Sequence, residues 1–188
     1  AEAQVDSYSS PVQVGSDTNW TISGYKVNSG LNGSSFCIKQ DGTLWVWGYN
    51  GYGVAGQNNA NPSPNSYSSP TQIPGTWSVV FGNTSHMKGI KTDGTLWSWG
   101  INEYGQLGLN DRTHRSSRTQ IPGTTWSDTA TSFGGAAAIK TDGTYWSWGM
   151  SYKGDSGRNV AHPGSMVSSP VQLPGTTWSK ISSNSGRG

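Results

Sequence analysis

The sequence has one cysteine, Cys37, three histidines, and only 12% charged residues in 188. A lone cysteine excludes an internal disulfide, and its place in the strand-like run Phe36-Cys37-Ile38 reads as a small buried apolar residue. His86, His114 and His162 show no His-x-x-x-His or Cys-His spacing, so neither a metal nor a cofactor is expected. The net charge of +2 comes from scattered Lys and Arg, which excludes the basic footprint that a nucleic-acid partner requires. No apolar run approaches the roughly 20 residues that cross a bilayer, so membrane insertion is not expected either. Apolar residues are also few, at 31%, a level that alone would suit a disordered chain. Ten tryptophans exclude that reading. Each buried ring removes roughly 150–250 Å² from water, so a core of Trp needs fewer apolar positions than one of Val and Leu.

The tryptophans are periodic. The block Ile38-Lys39-Gln40-Asp41-Gly42-Thr43-Leu44-Trp45-Val46-Trp47-Gly48 returns at 90–100 and at 139–149, with Tyr145 in place of leucine. Its Asp-Gly pairs start at 41, 93 and 142, steps of 52 and 49 residues, the spacing of stacked supersecondary units. Four segments fit each unit. In the second they are Trp77 to Phe81, Met87 to Lys91, Thr95 to Trp99, and Thr119 to Ile121 ahead of Pro122-Gly123. Thr92-Asp93-Gly94 between two β-like runs predicts a tight hairpin. Alternation then puts Trp97 and Trp99 on one face of the third strand and Leu96 and Ser98 on the other. Proline at the entry to the last segment, as at Pro11, Pro70 and Pro170, makes that strand the outermost of four.

The fold expected is all-β, with propeller blades of four antiparallel strands. Residues 1–19 hold the fourth strand of a preceding blade, 20–75, 76–123 and 124–175 hold three blades, and 176–188 hold the first strand of a following one. The hairpin ending in Trp-x-Trp-Gly, then Asn102-x-x-Gly105-Gln106-Leu107-Gly108, then a Pro-x-x strand resembles the repeat of the regulator of chromosome condensation family, from about Ser9 to Ile181. The resemblance implies a seven-bladed propeller. Three blades against seven make this sequence read as a segment of a longer protein, with strand edges that invite protein partners or self-assembly.

Candidate chemistry is thin. Asp41, Asp93 and Asp142 precede glycine and read as turn residues, with Lys39, Lys91 and Lys140 as their screened ion-pair partners across the hairpin. The Trp-x-Trp rows read as packing between blades. Gly105 to Gly108 lacks the Gly-Lys-Ser/Thr of a phosphate loop. No catalytic residue is assigned, and the chain is expected not to be an enzyme. Two groups point to partner contact. Tyr52, Tyr104 and Tyr152 recur at one loop position, with Tyr49 nearby, and Arg112, Arg115 and Arg118 cluster in another loop. Tyrosine and arginine are favoured at protein interfaces, and the arginine fork grips carboxylate or phosphate. The function expected is a binding or assembly scaffold on a virus particle or outside the cell, by analogy with other low-charge β repeats rich in Gly, Ser, Thr and Asn. Two alternatives are nucleotide exchange on a small GTPase, implied by the family resemblance, and inhibition of an enzyme by a secreted propeller.

Overall fold

The structure, a computed structural model, describes residues 13, 16–20, 34–59, 66–83, 85–151, 154–159 and 165–182. Ten antiparallel strands form the frame: β1 (Ser34–Ile38), β2 (Thr43–Tyr49), β3 (Ser66–Gly82), β4 (His86–Lys91), β5 (Leu96–Gly100), β6 (Arg115–Ile121), β7 (Trp126–Thr131), β8 (Gly135–Lys140), β9 (Tyr145–Met150) and β10 (Met166–Gln172). Among the described residues there is no α-helix, and one 3-10 turn spans Gly51–Gly53. Hydrogen bonding runs β1-β2-β3-β4-β5-β6 in one sheet and β7-β8-β9-β10 in another. The longer sheet is two blades sharing one strand. β3 pairs with β2 from Ser66 to Thr76 and with β4 from Trp77 to Gly82. The break expected at Pro74-Gly75 is a bend rather than an end, because Gly75 takes a φ of 120° that keeps the strand running. The described strands thus make a partial propeller, with β6 and β10 outermost, as their composition requires.

Each hairpin closes through the same side-chain relay. Asp93 Oδ1 accepts from the Thr95 N–H at 3.0 Å and its hydroxyl at 2.6 Å, and Thr95 Oγ1 accepts from Trp97 Nε1 at 2.8 Å. The relay recurs at Asp41, Thr43 and Trp45 and at Asp142, Thr144 and Trp146. Gly94 makes the turn possible. Its φ is 78°, and a Cβ there would lie 2.2 Å from the Thr124 carbonyl oxygen. The lysines depart from expectation, for they do not pair with these aspartates. Lys91 Nζ lies 4.1 Å from the Trp97 ring centre and 5.4 Å from that of Trp77. Lys39 and Lys140 sit likewise against Trp20 and Trp45 and against Trp126 and Trp146. A cation over an indole face is attracted by the ring quadrupole, and two rings hold it better than an exposed carboxylate across the turn.

The blades meet face to face. Phe36, Ile38, Leu44 and Val46 of the first pack on Trp77, Val80, Met87 and Trp99 of the second. Ile90, Leu96 and Ile121 of the second pack on Trp126, Ala136, Ala138 and Trp148 of the third. Strand alternation therefore sends Trp99 to one seam and Leu96 to the next, as the period of two dictates. Cys37 is half-buried rather than buried, because alternation turns it away from Phe36 and Ile38 toward Trp47, on the face opposite the second blade. Residues 176–182 form no strand, yet the Trp178 N–H donates to the Gly143 carbonyl just as Trp77 and Trp126 donate to Gly42 and Gly94.

At about 25 cal/mol per Å², one buried indole contributes about 4–6 kcal/mol of gross hydrophobic stabilisation. Trp99 is fully buried, and its Nε1 donates to the Val54 carbonyl of the preceding blade at 2.6 Å. Trp99→Ala is expected to lower stability by about 3–5 kcal/mol. Trp99→Phe, which keeps a ring and loses the donor, is expected to lower it by about 1–3 kcal/mol. Urea denaturation followed by circular dichroism measures both, and equal losses would show that the seam hydrogen bond contributes nothing.

Candidate functional site

The candidate contact residues lie in the loops between the third and fourth strands of each blade, so the loop architecture decides which of them face outward. An asparagine organises the loop in the first two blades. Asn102 Oδ1 accepts from the Leu107 N–H at 2.9 Å, while its Nδ2 donates to the Asp111 carbonyl at 2.9 Å. Asn50 does the same with Ala55 and Asn59. In the third blade Ser151 takes this place and accepts from the Ser156 hydroxyl at 2.7 Å. Further on, Asn58, Asn110 and Asn159 all adopt positive φ, at 60°, 61° and 55°, a conformation asparagine tolerates better than most residues. The first two donate their N–H across the seam, Asn58 to the Ser116 carbonyl at 3.0 Å and Asn110 to that of Ser168 at 2.7 Å. Sequence reasoning missed these asparagines. Their positions repeat in the same steps of 52 and 49 residues as the Asp-Gly turns, and that signal was available.

The predicted contact residues separate into two groups. Tyr52 lies inside the Gly51–Gly53 turn at a φ of 63°, its ring 49% exposed. Arg112 is exposed on the loop that leads to β6. Both belong to the same loop layer, and the Tyr52 turn packs against β5 and β6. The other described candidates are turned into the frame. Tyr104 is half-buried with its ring 6.2 Å from that of Phe133 in the next blade. Arg115 pairs with Asp111 at 2.5 Å and donates to the Thr113 carbonyl at 2.9 Å. Arg118 reaches back to the first blade, where its Nη1 donates to the Gly56 carbonyl at 2.6 Å, and burial pulls its pKa below the usual guanidinium value. Tyr49 is half-buried on β2, and its carbonyl accepts from the Ser34 hydroxyl at 2.6 Å. Tyr152 lies outside the described residues, as does His162. His114 is engaged in its own loop, where its Nδ1 accepts from the Asn102 N–H at 3.0 Å.

The turn aspartates are held below the usual carboxylate range, first by the threonine hydroxyl, then by the threonine N–H, with a smaller effect from the neighbouring lysine. They are anchored as turn residues. A second polar cluster sits in the seam between the second and third blades, where His86 and Lys88 are fully buried. Lys88 Nζ donates to the Gln106 carbonyl at 2.7 Å and lies 5.4 Å from the Trp148 ring centre. The same carbonyl accepts from Trp148 Nε1 at 2.9 Å. Lys88 occupies the strand position held by Phe36 in the first blade and Ala137 in the third. Its place two residues before Ile90 sets it on the Ile90 face, which the strand period could have revealed.

Burial pushes the Lys88 pKa down to about 7. For His86, burial first and the Lys88 ammonium second push it well below the usual imidazole value, offset in part by the Gly135 main chain. Neither His86 nitrogen has a well-formed hydrogen bond among the described residues, and no described carboxylate pairs with either group. Between pH 7 and the usual lysine range, the unfolded chain binds a proton that folded Lys88 releases, so stability rises with pH across that window. Below the usual imidazole range, His86 makes stability fall further as pH falls. Thermal melts are expected to show higher stability at pH 9 than at pH 7, by on the order of 2 kcal/mol, and lower stability at pH 5. Lys88→Met is expected to flatten the limb above pH 7, and an unchanged limb would remove Lys88 as its cause.

Two family models described as the regulator of chromosome condensation (RCC1) repeat match this chain, one over residues 93–126 and one over 78–106. The human protein described as probable E3 ubiquitin-protein ligase HERC3 is 30% identical over 91 residues, which cover 48% of this chain and 9% of that protein. Human WBSCR16 superposes with a TM-score of 0.63 at 23% identity, covering 77% of this chain and 36% of that one. Prp20p from Saccharomyces cerevisiae superposes with a TM-score of 0.63 at 18% identity, covering 78% and 37%. The published title of that structure concerns its binding to Gsp1p and histones, and a further one shows Kap60 bound to yeast RCC1 (Prp20). This chain spans about a tenth of the length of the matched ligase and just over a third of the matched structures.

Proposed function

Because this chain carries repeats of the regulator of chromosome condensation family and belongs with the proteins built from them, we propose that it is a non-catalytic scaffold binding protein partners through its loop layer. One observation carries the reading: the ionisable groups that recur from blade to blade are tied into the frame, whereas Tyr52 and Arg112 are displayed. Asp41, Asp93 and Asp142 each hold a threonine, and Lys39, Lys91 and Lys140 each lie between two indoles. Tyr52 is an exposed aromatic ring kept at a backbone conformation that costs about 1–3 kcal/mol, and such strained residues cluster at contact sites. The named partners of Prp20p are proteins, which supports protein binding as the general use of this fold. A setting on a particle surface or outside the cell rests on composition, a low-charge β array rich in Gly, Ser, Thr and Asn.

Two measurements test the reading. The immobilised chain is expected to retain at least one protein from its source material, and Tyr52→Ala combined with Arg112→Glu is expected to cut that retention roughly tenfold with the melting temperature unchanged. Equal retention by the double variant would sink the loop-layer site. With Gsp1p carrying labelled GDP as the probe, the release rate is expected to stay at its spontaneous value. Acceleration would overturn the non-catalytic assignment and favour nucleotide exchange.

A further inference from the structure

Both internal seams are made the same way, which allows the outer faces of the first and third blades to be compared with them part by part. On the leading side of each seam, a loop offers a main-chain carbonyl, a glycine, and an asparagine N–H. These are Val54, Gly56 and Asn58 in the first seam and Gln106, Gly108 and Asn110 in the second. On the following side, a third-strand indole donates to the carbonyl and lies over the glycine, and a fourth-strand serine carbonyl accepts from the asparagine. These are Trp99 with Ser116 and Trp148 with Ser168. The fit over the glycine is close. A Cβ on Gly56 would lie 3.1 Å from Trp99 Nε1, and one on Gly108 would lie 2.7 Å from Trp148 Nε1.

The third blade presents the leading half again. Asp155, Gly157 and Asn159 occupy the three positions in order, with Gly157 at a φ of 69° and Asn159 at 55°. Here the side chain over the glycine is Leu173 and not an indole. Beside them is an open hollow of about 250 Å³ lined by Ala137, Ser147 and Ser156 among others. Ala137 stands where Phe36 and Lys88 fill the other two seams. The first blade presents the following half. Trp47 is half-buried against Trp20, no described residue accepts from its Nε1, and Ser68 is exposed at the position of Ser116 and Ser168.

We propose that these two faces are the halves of one more seam, and that a second copy of this chain docks head to tail, with its first blade on the third blade of its neighbour. In that contact the Trp47 indole donates to the Asp155 carbonyl and covers Gly157, while the Asn159 N–H donates to the Ser68 carbonyl. The occupant is identified by continuity with the two seams already formed, since a copy of this chain carries each required group at the required spacing. The proposal deepens the scaffold reading by naming one protein partner. A heterologous contact of this kind closes into a ring or propagates as a filament.

The test uses the purified 188-residue chain alone, so its outcome is independent of whether Tyr52 and Arg112 recruit other proteins. Native mass spectrometry and sedimentation are expected to show concentration-dependent self-association. Trp47→Ala, which removes one half, and Ala137→Arg, which puts a charge into the hollow, are each expected to weaken it at least roughly tenfold. An equimolar mixture of the two variants is expected to form a heterodimer and nothing larger, because each retains the half that the other lacks. That rescue also shows both variants to be folded. A wild-type chain that stays monomeric to roughly 100 μM, variants that associate as the wild type does, or a mixture that stays monomeric would each overturn the proposal.

Discussion

One constraint organises the molecule: a third-strand indole must cross to the preceding blade, lie over a glycine, and deliver its N–H to a main-chain carbonyl. Trp99 and Trp148 both meet it. The rest follows by geometry. The loop must bring its glycine within reach, which explains the asparagine hub and the positive-φ residues beyond it. The blade must stand at a fixed distance from its neighbour, which explains why first-strand tryptophans stack on the same pair of rings. Because a buried Trp N–H without an acceptor is costly, the carbonyl fixes orientation as firmly as the ring fixes separation.

Within that constraint the filling of the seam is free to vary. Phe36, Lys88 and Ala137 hold one and the same strand position, and they are an aromatic ring, an ammonium and a methyl group. Lysine is tolerated there because the carbonyl that takes the indole N–H has a second lone pair for the ammonium. A single carbonyl accepting both donors couples the charge state of the seam to its packing. The repeat is thus conservative in its hydrogen-bonded contacts and permissive in the volume between them.

Much of the frame was legible in the sequence because its determinants are local. Asp-Gly-Thr is a turn wherever it occurs between strand-like runs, and Trp-x-Trp places two rings on one face by the period of two alone. What stayed hidden depends on neighbours in space. Lys91 was assigned to Asp93 because they are two residues apart, but the Trp77 ring that completes its site arrives from another strand. Periodicity set Tyr52 and Tyr104 as equals, yet Phe133 of the following blade packs against Tyr104 and leaves it half-buried. Arg118 is similar, since nothing near it in the chain announces the Gly56 carbonyl 62 residues earlier. Pro74-Gly75 read as a stop because proline and glycine usually end strands, whereas here the glycine bends one strand from blade to blade.

That bent strand makes the two joints of the arc mechanically unequal. The first and second blades are spliced by β3, which belongs to both sheets, so displacing one drags on the backbone ladder of the other. The second and third are linked by residues 122–125, outside any strand, and rely on side chains alone to resist shear. Under load the array behaves as a stiff pair with a compliant third member.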